Sequence, residues 1–265
     1  MRSWDLHRSK FGERADKMFG KRKNVDKNAI AEKIIVALDV EREDQAYALV
    51  KHLSPPITFY KVGMRLYAAC GPRIISGLKN LGVKVFLDLK FHDIPHTVAT
   101  TAEVVTRLGV DMFNIHLSGG RDMIRSTVEA AGLTAEKEGI AKPLVVGVTV
   151  LTSFNEKVLR DEAGVEKHLE QHVVDLSLMG KESGLSGVVA SAREASRIRK
   201  HCGEDFIIVT PGVRPLWSTL NDQLRVLTPR QALEAGANYL VIGRPIIEHS
   251  SPGEAVEKIL AEIAN

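Results

Sequence analysis

Cysteine is scarce in this chain. Cys70 and Cys202 are the only two, far apart and without a C-x-x-C partner, which argues against a disulfide framework or a thiolate zinc site and fits a reducing cytoplasm. Long apolar runs are missing as well: nothing approaches the roughly 18 consecutive apolar residues of a membrane span. With 44% hydrophobic and 26% charged residues, the expectation is a soluble globular protein with no membrane partner. No basic groove interleaved with aromatics is visible, so nucleic acid is not an expected partner. The stretch "VALDVEREDQ", where the first strand-like run ends, has no G-x-G-x-x-G turn. Its absence counts against an open, doubly wound nucleotide-binding sheet.

Charge is present but unevenly placed. Residues 1–30 carry nine Lys/Arg against four Asp/Glu, a net +5, which leaves −2 of the total +3 for the other 235 residues. This basic N-terminal extension lacks the apolar core of a secretory signal, and Asp5, Glu13, Asp16 and Asp26 are acids that a transit peptide avoids. It reads as a solvated helical or frayed segment, to which the sequence assigns no function. Residues 31–265 form the expected domain.

From residue 33 onward, short β-branched runs alternate with stretches of helical period, the signature of successive βα units. The runs are "KIIVALDV" (33–40), "ITFYKVG" (57–63), "VKVFLDLK" (83–90), "VDMFNIHL" (110–117), "LVVGVTVL" (144–151), "SGVVAS" (186–191), "FIIVTPG" (206–212) and "YLVIGRP" (239–245). Between them, segments such as "TVATTAEVVTRLG" and "LEQHVVDLSLMGKESG" carry apolar residues at three- and four-residue intervals, and several stop at glycine. Eight such units without an intervening linker predict a single-domain α/β protein, a (β/α)8 TIM barrel.

Catalytic groups of such a barrel gather at the C-terminal ends of the strands. There the sequence places Asp39 on strand one, Lys61 on strand two, Asp88 and Lys90 on strand three, Asn114 and His116 on strand four, and Thr152 and Ser153 on strand five. Alternation along a strand puts Asp88 and Lys90 on one side. The expected result is a chain of alternating sign, Asp39, Lys61, Asp88, Lys90, in the barrel mouth. Isolated ion pairs at strand ends are usually mere surface pairs; four groups converging on one mouth fit proton transfer instead, with an ammonium between carboxylates as general acid. On the far side, strand seven runs into "TPGVRPLWSTLNDQLRVLTP" with Arg214, Gln223 and Arg225, and strand eight ends in Gly243-Arg244. Glycine-exposed N–H groups and an arginine at this position fit a phosphate, and the long loop fits a lid. A phosphorylated small molecule reacting near Lys90 is the expected substrate.

These residues resemble the bacterial orotidine 5'-phosphate decarboxylase family, over residues 33–262. The resemblance rests on "IIVALDV", "FYKVGM", "FLDLKFHDIPHTV", "GVTVLTS", "VTPGVRP", "NDQLRVLTP" and "GANYLVIGRPI", the third being the family signature through Asp88, Lys90, Asp93, Ile94, Pro95 and Thr97. It implies conversion of orotidine 5'-phosphate to UMP and CO2, the last step of pyrimidine nucleotide synthesis, without metal or organic cofactor. Lys90 would protonate C6 of the pyrimidine, Asp39 and Lys61 would hold the ribose hydroxyls, and Asp88 would face the departing carboxylate. Asp93, with Ile94 and Thr97, would reach into a neighbouring subunit of a homodimer. Thr152 would read the pyrimidine edge, while Arg214, Gln223, Gly243 and Arg244 would hold the phosphate or the lid. Two positions depart from the family's usual pattern: His96 stands where asparagine is common, and Arg65 where glutamate is.

Three rival readings remain. A magnesium-dependent sugar-phosphate lyase, of the 3-keto-gulonate-6-phosphate decarboxylase or hexulose-phosphate synthase type, shares Asp-x-Lys-x-x-Asp but tends to continue with Ala-Gly rather than Ile94-Pro95. His92, His96 and His116 near the rim could ligate zinc, although a solvated or capping role suits the first two better. A catalytically silent barrel could bind nucleotide without turning it over.

Overall fold

The computed structural model describes residues 26–218 and 227–265; most of the basic extension, Gln223 and Arg225 lie outside them. Eight parallel strands close into a barrel in chain order: β1 (Ile34–Ala37), β2 (Phe59–Gly63), β3 (Lys84–Phe91), β4 (Met112–His116), β5 (Leu144–Val148), β6 (Gly187–Val189), β7 (Ile207–Pro211) and β8 (Tyr239–Ile242), with β8 paired back onto β1. Each falls on a run expected to be a strand. The helices are α1 (Lys27–Ala31), α2 (Glu43–Leu53), α3 (Met64–Cys70), α4 (Arg73–Asn80), α5 (Pro95–Arg107), α6 (Gly120–Glu138), α7 (Glu156–Asp161), α8 (Leu169–Glu182), α9 (Ala192–Cys202), α10 (Pro229–Glu234), α11 (Arg244–Ile247) and α12 (Pro252–Ala264).

Local chemistry sets these boundaries. Pro95 opens α5, where a missing N–H costs nothing. Thr228 and Gln231 close a reciprocal capping box on α10. α6 stops at Gly139, whose left-handed φ of 64° suits glycine. Two features depart from the periodicity. An additional short helix, α3, precedes the periodic stretch "PRIISGLKNLG" that forms α4, and the loop after β5 contains α7, capped by Asn155 accepting the Val158 N–H at 2.9 Å. Six residues are too few to show a helical period.

Burial sorts into two apolar layers. The larger lies between strands and helices; the smaller fills the barrel with Ile35, Ala37, Phe59, Phe86, Met112, Val146, Val209 and Val241. This inner layer is also the floor of the site. Moving two residues further along the strands, Phe59 is followed inward by Lys61, Phe86 by Asp88 and Met112 by Asn114, because strand side chains alternate with period two. Each Val, Ile, Phe or Met side chain buried there contributes about 1.5–3 kcal/mol, which anchors the strands and hence the polar layer above them.

Candidate active site

Above the inner layer opens a cavity of about 260 Å³, lined among others by Asp39, Lys61, Asp88, Lys90, Thr152, Arg214, Gly243 and Arg244. The alternating chain is present in the order its sequence positions imply. Lys61 Nζ lies 3.3 Å from Asp39 Oδ1 and 3.2 Å from Asp88 Oδ2, and Lys90 Nζ lies 2.6 Å from Asp88 Oδ1. Asp39 sits two residues past the end of β1, and Thr152 and Ser153 sit in the loop beyond β5 rather than on the strand. Lys61 is the most enclosed, with 11% of its side chain accessible, while Asp39 at the outer end is half exposed.

Simple alternation does not account for Lys90. Among the described residues it is the one non-glycine with positive φ, at 54°, and the pairing of β3 with β4 shifts register between Leu87 and Phe91. Left-handed backbone costs an L-residue about 1–2 kcal/mol, so something must hold it. That something is Asn114, fully buried on β4: its Oδ1 accepts the Lys90 N–H at 2.8 Å and its Nδ2 donates to Asp88 Oδ1 at 2.7 Å. One amide thus fixes both the backbone of Lys90 and the carboxylate facing its ammonium. Sequence reading placed Asn114 at the rim but gave it no role. Replacing it with alanine is expected to lower kcat about 10²-fold through misplacement of Lys90 and to cost about 1–3 kcal/mol of stability, checked by steady-state kinetics and urea unfolding.

Burial by itself would raise the Asp88 carboxyl. Lys61, Lys90 and the Asn114 hydrogen bond outweigh it and hold the group below its ordinary value of 3.8. A depressed carboxyl stabilises the fold fully above its unfolded value, and the contribution is lost only as pH falls through the lower, folded one. The Asp88 resonance is therefore expected to titrate below pH 3.8 in the folded protein, read by carboxyl NMR. His116, half-buried beside it, is shifted down by burial and then by His92 and Lys90; the His92 and His116 rings lie 5.4 Å apart. His96 is exposed at the start of α5, so the three histidines do not converge, and no His, Cys, Asp or Glu cluster among the described residues is arranged to hold a metal.

On the opposite side, Gly212 turns the chain out of β7 at φ 77°. Arg214 follows, buried, with its N–H donating to Leu227 O at 3.1 Å, which ties together the two ends of the long loop. Leu216 N–H donates to Glu262 Oε2 of α12 at 3.1 Å, and Trp217 packs edge-on to His249 with Lys258 over its ring. Arg244 begins α11 directly after Gly243. Asp93, Ile94 and Thr97 are not part of the cavity. They are exposed at the start of α5, Ile94 by 66%, and Asp93 Oδ1 accepts the Ile94 N–H at 2.7 Å. Arg65 pairs with Glu41 and reaches the carbonyl of Asp39, so this departure from the family pattern ties down the loop that carries a site residue.

The class that emerges is a (β/α)8-barrel enzyme whose reactive end is an ammonium held against carboxylates at the C-terminal mouth of its strands. More narrowly, the chain belongs to the orotidine 5'-phosphate decarboxylase / HUMPS family, whose model matches residues 32–259. The orotidine 5'-phosphate decarboxylase of Syntrophomonas wolfei subsp. wolfei is 52% identical over 233 residues, 88% of this chain and 98% of that one. The corresponding protein of Heliobacterium modesticaldum is 46% identical over 88% of this chain and 96% of its own. Among solved structures, orotidine 5'-phosphate decarboxylase from Lactobacillus acidophilus superposes with a TM-score of 0.77 at 37% identity, covering 88% of this chain and 99% of that one.

Proposed function

We propose that this chain decarboxylates orotidine 5'-phosphate to UMP, with Lys90 as the proton donor. The observation that carries the reading is the placement of the Lys90 ammonium, 2.6 Å from Asp88, on the wall of a cavity that Arg214, Gly243 and Arg244 line opposite. Heterolysis of the C6–carboxylate bond releases CO2 and leaves its electron pair in an sp² orbital at C6. No π-system delocalises that pair, so the protein must supply a cation and then a proton at that atom. Lys90 supplies both, becomes a neutral amine when the C6–H bond forms, and regains its proton from solvent. Asp88 adds repulsion of the substrate carboxylate, about 4 kcal/mol for like charges 4 Å apart at an effective dielectric near 20. Stabilisation of the transition state by Lys90 outranks it, because only interactions that strengthen toward the transition state raise kcat.

In this reading Asp39 and Lys61 hold the ribose hydroxyls, Thr152 meets the pyrimidine edge, and Gln223 joins the arginines at the phosphate. Asp93, Ile94 and Thr97 complete the site of a second subunit, a role supported by their exposure and by the neighbouring exposed Val104 on α5. The protein then works as a cytoplasmic homodimer. Mixing Lys90→Ala with Asp93→Ala subunits is expected to restore activity that neither variant has alone, since one of the two shared sites in a mixed dimer is intact.

The family name spans both decarboxylases and magnesium-dependent sugar-phosphate enzymes, and the site's donors favour the former. Asp88 accepts from Lys90 and Asn114 on one oxygen and meets Lys61 on the other, so three of the about four lone-pair sites of this carboxylate are already engaged by the protein. Release of UMP and CO2 from orotidine 5'-phosphate by purified protein is expected to continue undiminished in EDTA. Loss of activity on chelation, restored by magnesium, would move the assignment to the sugar-phosphate branch.

A further inference from the structure

We propose that Gly63 is a positioning residue, whose missing Cβ leaves the space in which the Lys61 ammonium stands between Asp39 and Asp88. The inference rests on the decarboxylase reading for its kinetic consequence but not for its structural one. Glycine gains little here on local grounds. It ends β2 without a side chain to pack, and as the residue before α3 it forgoes the side-chain cap that serine, aspartate or asparagine would make, a small difference in stability. Its backbone gives no reason for glycine either: φ −92° and ψ −179° is extended chain that any L-residue adopts.

Space supplies the reason. Phe59, Lys61 and Gly63 share the inward face of β2 by alternation, so a side chain at 63 would project into the barrel mouth directly above Lys61. A Cβ there would lie 2.9 Å from Lys61 Nζ and 3.5 Å from Asp39 Oδ1, with nothing else of its non-local surroundings within 4 Å. The obstruction is thus the working charges themselves and not the scaffold. A methyl group at 63 would push aside the flexible end of Lys61, lengthening its contacts with Asp39 and Asp88, while the backbone stays in place. Lys61 is also the foremost of the charges that hold the Asp88 carboxyl down, so its displacement has a readout separate from catalysis.

The test compares wild type, Gly63→Ala, Lys61→Ala and the double variant by carboxyl NMR of labelled aspartate, with melting temperature and turnover measured alongside. The Asp88 midpoint is expected to rise in Gly63→Ala toward its value in Lys61→Ala, and kcat/KM to fall about 10- to 100-fold, the scale of a misplaced catalytic group. Adding Gly63→Ala to Lys61→Ala should change neither quantity further, since a residue that acts through another is silent once its partner is gone. Should Gly63→Ala fail to fold while the double variant folds, the obstruction is again Lys61 and the proposal stands. It is overturned if folded Gly63→Ala keeps the wild-type Asp88 midpoint, if the methyl group causes further loss in the Lys61→Ala background, or if the double variant also fails to fold. Absence of turnover on orotidine 5'-phosphate in the wild type would instead count against the assigned reaction, leaving the Asp88 titration to decide on Gly63.

Discussion

Alanine in place of Lys90 is expected to lower UMP formation by about 10⁴-fold or more, combining loss of a general acid with loss of the cation that faces the developing carbanion. Fold and ligand binding should survive. The side chain is partly exposed and its ammonium belongs to the mouth, while the apolar layer that anchors β3 lies one step below at Phe86. Alanine keeps a Cβ and so retains the left-handed strain at this position, whereas Lys90→Gly relieves it; the glycine variant should be equally inactive but no less stable. Single-turnover CO2 release and calorimetric binding of UMP separate the outcomes. A protein that binds UMP with unchanged affinity and has lost turnover is an enzyme using Lys90 chemically. Turnover within tenfold of wild type would remove Lys90 from the reaction, and an absence of turnover in the wild type as well would favour the silent binder.

The polar layer of this site could be found in the sequence because it obeys the period of a strand. Once "FYKVG", "VFLDLK" and "VDMFNIHL" are taken as parallel strands, Lys61, Asp88 and Asn114 follow two positions after Phe59, Phe86 and Met112, and each must face inward if the aromatic or methionine does. Alternation fails at the next step. It would also bring Lys90 inward, but the real chain reaches that result through a positive φ and a register shift, held by an amide from the adjacent strand. Such a bond joins residues 24 apart in sequence, and no local pattern encodes it. Gly63 escaped for the opposite reason: its contribution is empty space, and a missing side chain has no signature until the neighbouring ammonium has coordinates. Asp93, Ile94 and Thr97 belong to the same sequence signature as Lys90 yet do not line this chain's cavity, and spacing alone does not separate residues that enter the mouth from residues that stay exposed on the helix beside it.

Removing the phosphate from the substrate is expected to lower kcat/KM by more than about 10⁴-fold, with kcat itself reduced. Two charge-assisted arginine contacts at about 3 kcal/mol each sum to about 6 kcal/mol, and every 1.36 kcal/mol is a factor of ten. In the proposed reading these contacts belong to Arg214 and Arg244, which line the cavity across from Lys90. If the phosphate were only a handle, its removal would raise KM and leave kcat alone. The structure favours a larger consequence. Arg214 sits at the neck of the long loop, where its own N–H bonds to Leu227, and the next residues are tied to α12 through Leu216 and Glu262. On that reading a dianion drawn onto Arg214 acts on the chain where it enters and leaves that loop, so that part of its binding energy is spent on positioning the reacting groups rather than on affinity. Arg244→Ala supplies the control. Assayed with orotidine 5'-phosphate it should show a large loss in kcat/KM, and assayed with the nucleoside orotidine it should match the wild type, because a substrate without phosphate has nothing for that guanidinium to hold. Equal losses on both substrates would place Arg244 in the support of the barrel mouth and detach the phosphate from it.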